Sequence, residues 1–126
     1  PRLYRDAMVT ESWEGTHNVL AAQSLRDLQK LRLHEAWLQW LAPRIERAGD
    51  PRLAVRLKAV QDDAAGLCAD QSELAPVRTR VWLENATVLH QALVLTELGV
   101  APAALQQWHA LHPHRPSMLE LGWLPD

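Results

Sequence analysis

Residues 49–69, GDPRLAVRLKAVQDDAAGLCA, decide the fold class of this chain. Leu53, Leu57, Val60, Ala64 and Leu67 recur at steps of four, three, four and three. That spacing gathers apolar side chains on one face of a helix with 3.6 residues per turn. Gly49 suits the end of a preceding helix, Asp50 the N-cap of the next and Pro51 its first turn. The same spacing places Arg56, Asp63 and the pair Lys58–Asp62 on solvent faces, the pair adding a few tenths of a kcal/mol.

The same period appears on both sides of this segment. Upstream, Val19, Ala22, Leu25, Leu28 and Leu31 recur every three residues with Leu20 and Ala21 beside them, which predicts a helix with a wide apolar face from 18 to about 31. Thr16 is the expected cap. Residues 33–48 form the next expected helix, with Trp37, Leu38, Leu41 and Ile45 on one face. Pro43 predicts a kink or break near Leu41, because proline removes a backbone donor and crowds the preceding turn.

Downstream, Asp70-Gln71-Ser72 reads as a turn with Ser72 as a cap. A fourth helix is expected from about 73 to 98, roughly 39 Å long at 1.5 Å per residue. Arg80, Glu84, Thr87 and Gln91 make its polar strip. Val77, Val81, Trp82, Val88, Leu89, Ala92, Leu93 and Leu95 make its apolar face, and Gly99 ends it. Pro102 opens a short fifth helix to about Leu111. Residues 113–126 are a Pro-rich tail, either disordered or docked through Leu119, Leu121, Trp123 and Leu124, with partial docking the favoured reading.

Composition agrees. The chain has 126 residues, 48% hydrophobic, with six Trp, one Tyr and no Phe. This is enough for one domain. Period-two Val/Ile runs are absent, so the expected fold is an all-α, up-down helical bundle. Residues 1–17 are read as the end of a preceding helix plus a loop, 18–112 as the bundle and 113–126 as the tail. A net charge of −2 and a pI near 6.3 argue against a dedicated nucleic-acid surface. A single cysteine, Cys68, excludes an internal disulfide and fits a reducing, cytoplasmic setting. It is read as a small buried residue on a helix. No apolar run approaches the ~20 residues of a membrane span.

Chemistry concentrates before the first expected helix. In Trp13-Glu14-Gly15-Thr16 a carboxylate stands between an aromatic and a glycine that permits close backbone approach. Thr16 and Asn18 are good helix caps, so free N–H groups should lie near Glu14 and attract anions such as phosphates. The plainer reading is a loop entering a helix, with Glu14 favoured there by the helix dipole. His17 serves either as a phosphate contact or as cover for the helix start.

The run Tyr4-Arg5-Asp6-Ala7, five residues, then Trp13-Glu14-Gly15-Thr16 resembles the C-terminal signature of flavin-dependent acyl-CoA dehydrogenases. With Trp at 13 and Asn18 before a hydrophobic helix it looks most like the alkylation-response (AidB-like) branch. The specific match covers residues 1 to about 28. The resemblance implies the C-terminal helical domain of that fold and an FAD cofactor. It implies Glu14 as the base that removes the α-proton of an acyl-CoA thioester while hydride passes to the flavin. It implies Gly15 against the substrate, and Trp13, Thr16, His17 and Asn18 beside FAD. The family usually has Gln where Asn18 stands.

About 110 residues follow the motif, which matches branches with an extra C-terminal helical domain. The first residue is Pro1, so a piece of a longer protein is expected. The β-domain and acyl pocket would then lie upstream, and the isolated chain should be inactive. The implied partners are an acyl-CoA substrate, an electron acceptor and other copies of the chain in a homotetramer, with no membrane. The alternative is a DNA- or protein-binding helical module with a vestigial flavin site. Its basis is the basic stretch Arg26, Lys30, Arg32, Arg44, Arg47, Arg52, Arg56 and Lys58, whose default reading is a solvated face. His109, His112 and His114 do not predict a metal site, because no cysteine joins them and Pro113 interrupts their helix. Trp37, Trp40, Trp82 and Trp108 sit at helical spacings and read as core or interface packing. No Ser-His-Asp grouping, P-loop or G-x-G-x-x-G occurs.

Overall fold

A computed structural model describes residues 17–115. Five helices account for 84% of these residues, with no strand among them. They are α1 (His17–Leu31), α2 (Leu33–Ala48), α3 (Pro51–Ala69), α4 (Ala75–Glu97) and α5 (Pro102–Leu111). The described chain is an all-α helical bundle. No described helix is long and apolar enough to cross a membrane. The expected cap Thr16 and the tail residues 116–126 lie outside the described residues.

The α3 segment folds as its pattern dictates. Leu53, Val60, Ala64 and Leu67 are buried, and Leu57 packs against the core from its edge. Gly49 takes a left-handed conformation (φ 65°) behind α2, and Asp50 Oδ1 accepts the Arg52 N–H at 2.9 Å. Lys58 pairs with Asp62 on the surface. Arg56 and Asp63 depart from expectation. Both are half-buried, because α5 and the segment after it pack over that side of α3: Arg56 donates to the His112 carbonyl oxygen, and Asp63 faces His114.

In α1 the buried positions are Ala21, Leu25 and Leu28. Val19 and Leu31 are 57% and 63% exposed. A strict three-residue step loses about 60° per repeat on a helix, so the ends of the expected stripe rotate out of the core. Arg32 alone links α1 to α2. It adopts φ 53° and is held by an ion pair with Glu35. Left-handed backbone costs a non-glycine residue about 1 kcal/mol or more.

Of the kink or break expected near Leu41, the break is absent: α2 runs through Pro43 to Ala48. Gln39, whose carbonyl loses its helical partner, is exposed, so water can satisfy that oxygen. His34, Leu38, Leu41 and Ile45 form the buried face.

The helix that follows α3 starts later than the pattern predicts. Ser72 does not cap it; Leu74 is the N-cap and Pro76 sits in the first turn. Proline suits that position because the first four N–H groups have no helical partner. Asp70 organises the turn instead. Its carboxylate accepts the Ser72 N–H at 2.9 Å and pairs with Arg78 at 2.6 Å. Gln29 of α1 donates to the Leu67 and Asp70 carbonyl oxygens at the end of α3.

α4 is the central element and packs against all four other helices. Its buried positions include Ala75, Thr79, Asn85 and Ala86 beside the expected Trp82, Leu89, Ala92 and Leu93. A helix enclosed on several sides needs more than one apolar stripe. Thr79 is satisfied within the helix, its hydroxyl donating to the Ala75 carbonyl oxygen at 2.8 Å. Val77 is 42% exposed, contrary to its expected place in the core. At the C-terminus Val100 N–H donates to Leu95 O and Gly99 N–H to Thr96 O, with Gly99 at φ 68°. This is the paired capping pattern that glycine permits.

Candidate functional site

Glu14, Gly15, Trp13 and Thr16 lie outside the described residues. His17 and Asn18 begin the described part of α1; their side chains lie outside the description. The first turn of α1 contains no acidic side chain, so a pyrophosphate approaching it meets no carboxylate there.

One helical turn further on, Leu20 and Ala21 border a groove of about 650 Å³. Leu83 and Val88 of α4 and Leu111 at the end of α5 supply its apolar wall, and Arg80 lies at its edge. Asn85 closes one end. It accepts the Arg115 backbone N–H at 3.0 Å and donates to the Arg115 carbonyl oxygen at 2.9 Å, while Arg115 pairs with Glu84 at 2.7 Å. An asparagine buried on the central helix is thus fully used in fixing the chain after α5. No local pattern marks Asn85 in the sequence, since its partner is 30 residues away.

The basic stretch resolves into separate contacts. Arg26 donates to Gln23, Arg32 pairs with Glu35, Arg52 with Asp50 and Lys58 with Asp62. Arg44 makes a two-pronged contact with Glu97 across α2 and α4 and lies 3.9 Å above the Trp40 ring. Arg47 donates to the Pro43 carbonyl oxygen. These contacts spread the positive charge over several helices.

The aromatic residues divide between core and surface. Trp82 is buried, donates from Nε1 to Val60 O at 2.9 Å, and meets Trp37 edge-on at 6.2 Å. Trp37 in turn donates to His90 Nδ1 at 3.4 Å. Trp40 is 46% exposed, covered by Arg44 rather than by the core. Trp108 stacks on His112 with ring centroids 4.4 Å apart.

The three C-terminal histidines diverge. His109 is buried against α3, His112 lies on Trp108, and His114 faces Asp63 at 3.8 Å. Among the described residues no group of three His, Cys, Asp or Glu side chains converges as metal ligands. Cys68 is half-buried rather than fully enclosed. Its sulfur lies 3.7 Å from His34 Nε2 and 3.8 Å from the Leu28 carbonyl oxygen.

Burial shapes the titration of two imidazoles. His34 is held below its ordinary value by burial first and by the Arg32 charge second, against Glu35. His109 is lowered by burial, then by Arg52 and Arg56, against Asp50. Both therefore favour the neutral form in the folded chain. Unfolding returns each towards 6.5. Their contribution to stability is complete above that value and is lost as pH falls below it towards the folded values. Asp50, lowered chiefly by its hydrogen bond from Arg52, adds a second loss in the carboxylate range. Urea midpoints should therefore decline on acidification in two steps. Replacing His109 with Phe should flatten the upper step; an unchanged profile would exclude His109 as a source.

Comparison of the chain with protein-family models, with curated proteins and with solved structures found no match.

Proposed function

We propose that this chain is the C-terminal helical part of an acyl-CoA dehydrogenase-like flavoprotein of the AidB-like branch, with the up-down bundle of that domain. The observation that carries the reading is the spacing of Arg5-Asp6-Ala7 from Trp13-Glu14-Gly15-Thr16, directly ahead of α1. An all-helical bundle after that motif and an acid-free first turn are compatible with it.

In this reading Glu14 accepts the α-proton of an acyl-CoA thioester. Trp13 shields the carboxylate from water, and removal from water raises carboxylate basicity. Gly15 leaves room for the thioester to approach the backbone. Thr16, His17 and Asn18, with Trp13, seat the cofactor. FAD, when bound, supplies the hydride acceptor. The remaining walls of the site and the electron acceptor come from outside residues 1–126, and the working assembly is a homotetramer in the cytoplasm.

The test is the visible spectrum of the full-length gene product that contains this chain. Flavin absorption co-purifying in stoichiometric amount supports the reading, and a colourless protein that fails to take up added FAD removes it.

A second reading rests on the exposed apolar residues Leu31 and Leu33 at the α1–α2 junction, which suit a partner surface. Here the chain is a DNA- or protein-binding module and its flavin motif is vestigial. Duplex binding that weakens steeply with salt would favour the DNA form. Absence of binding at low salt would eliminate that form.

A further inference from the structure

Where α5 crosses the start of α3, four nitrogen-bearing side chains border one cavity of about 460 Å³: Arg52, Arg56, His109 and His114. Pro51 and Val55 complete it with apolar surface. None of these residues belongs to the flavin motif.

The polar atoms here are incompletely used. The His109 side chain is only 7% exposed, and both its ring nitrogens lack a hydrogen-bond partner among the described residues. Asp50 Oδ2 is the nearest carboxylate oxygen recorded, 3.9 Å from Nε2 and outside hydrogen-bond range. Asp50 is already engaged: it accepts Arg52 Nε at 2.9 Å and Arg52 Nη2 at 2.7 Å. Arg56 donates through Nη2 to the His112 carbonyl oxygen, and its Nη1 is buried without a partner. His114 Nδ1 is buried in the same way, while Nε2 faces Asp63 Oδ2 at 3.8 Å. Buried donors left unpaired are costly, and two arginines with two imidazoles offer donors of the kind that oxyanions accept.

Charge decides what else must happen. With His109 neutral, Arg52 and Arg56 are balanced by Asp50 and Asp63. An added anion makes the cluster negative unless His109 gains a proton. The arginine charges and burial that now oppose protonation of His109 are offset once an anion is present.

We infer that the cavity bounded by Arg52, Arg56, His109 and His114 binds an oxyanion, a carboxylate or phosphate on a small apolar body, and takes up protons as it does so. The buried nitrogens lie beneath the rim, so entry requires rotation of side chains such as Arg52, which is 46% exposed. Pro51 and Val55 then receive the apolar part.

The full 126-residue chain is titrated calorimetrically with inorganic phosphate and, separately, with benzoate. Each titration is run at about pH 6 and about pH 7.5 in two buffers of different ionisation enthalpy. Saturable binding with proton uptake is expected, tightening about tenfold per pH unit wherever one proton is taken up. Benzoate binding alone identifies the carboxylate class, and phosphate binding alone the phosphate class. Arg56→Gln should weaken binding about tenfold or more, as loss of a charged hydrogen-bond donor does. Because Arg56 also holds His112, Val55→Glu provides the second variant. Val55 is 70% exposed, so the fold tolerates the change while its carboxylate opposes the ligand. His109→Gln should remove most of the pH dependence. The inference is overturned if neither probe saturates, which would leave ordered water as the partner of these nitrogens. It is equally overturned if binding is indifferent to Val55→Glu. Neither outcome bears on whether the longer protein carries FAD.

Discussion

If the proposed function holds, replacing Glu14 with Gln in a flavoprotein containing this chain is expected to reduce the rate of acyl-CoA-driven flavin reduction by about a hundredfold to ten-thousandfold. That range is what positioned general bases contribute. Glutamine keeps nearly the same shape and cannot accept the α-proton. The flavin absorption of the purified variant should match that of the parent, because the residues proposed to seat FAD are unchanged. Anaerobic mixing with acyl-CoA, followed by bleaching of the flavin band, measures the effect. A parent-like rate would remove Glu14 as the base even if the protein is yellow. Loss of flavin together with activity would instead assign Glu14 to cofactor retention.

Trp82→Ala is expected to destabilise the bundle by about 3–5 kcal/mol, the usual cost of truncating a buried aromatic residue. Trp82 lies on the helix that touches all others, is 7% exposed, and joins α4 to α3 through its bond to Val60 O. It also carries the edge-on contact with Trp37 of α2. One substitution therefore opens a cavity at the meeting point of three helices. Domains are stable by only about 5–15 kcal/mol, so the variant should unfold at much lower urea concentration. Trp82→Phe retains most of the ring and loses the donor, so it should cost about 1–2 kcal/mol less than the alanine change. A loss below about 1 kcal/mol for Trp82→Ala would show that the core does not converge on this residue.

The helices were legible to different depths for identifiable reasons. The boundary between α2 and α3 announced itself, because Gly49, Asp50 and Pro51 each satisfy a local backbone requirement. α2 also matched its expected span; of the kink or break that Pro43 suggested, no break occurs, since an exposed carbonyl at Gln39 can be hydrated. The start of α4 was misplaced because Ser72 offers a capping oxygen, whereas Asp70 takes the organising role through Arg78. Of the proposed flavin-binding residues, only His17 and Asn18 at the start of α1 fall within the described residues. The Arg52–Arg56–His109–His114 cavity was not legible at all. Arg56 read as a solvent residue, and His109 read only as part of a histidine cluster that predicts no metal site. Their meeting depends on a contact between residues more than 50 positions apart.

The sequence by itself determined the helical class, most of the helix boundaries and the Arg5-Asp6-Ala7 to Trp13-Glu14-Gly15-Thr16 spacing that motivates the flavoprotein reading. Backbone periodicity and capping are local, so neighbouring residues suffice to specify them. Only the tertiary structure decided that α4 is central, that Asn85 holds Arg115, and that Arg56 and His109 lie beneath a shared cavity. Burial is set by what packs against a face. A half-turn of rotation or one crossing helix can convert an apparent solvent position such as Arg56 into an interior one.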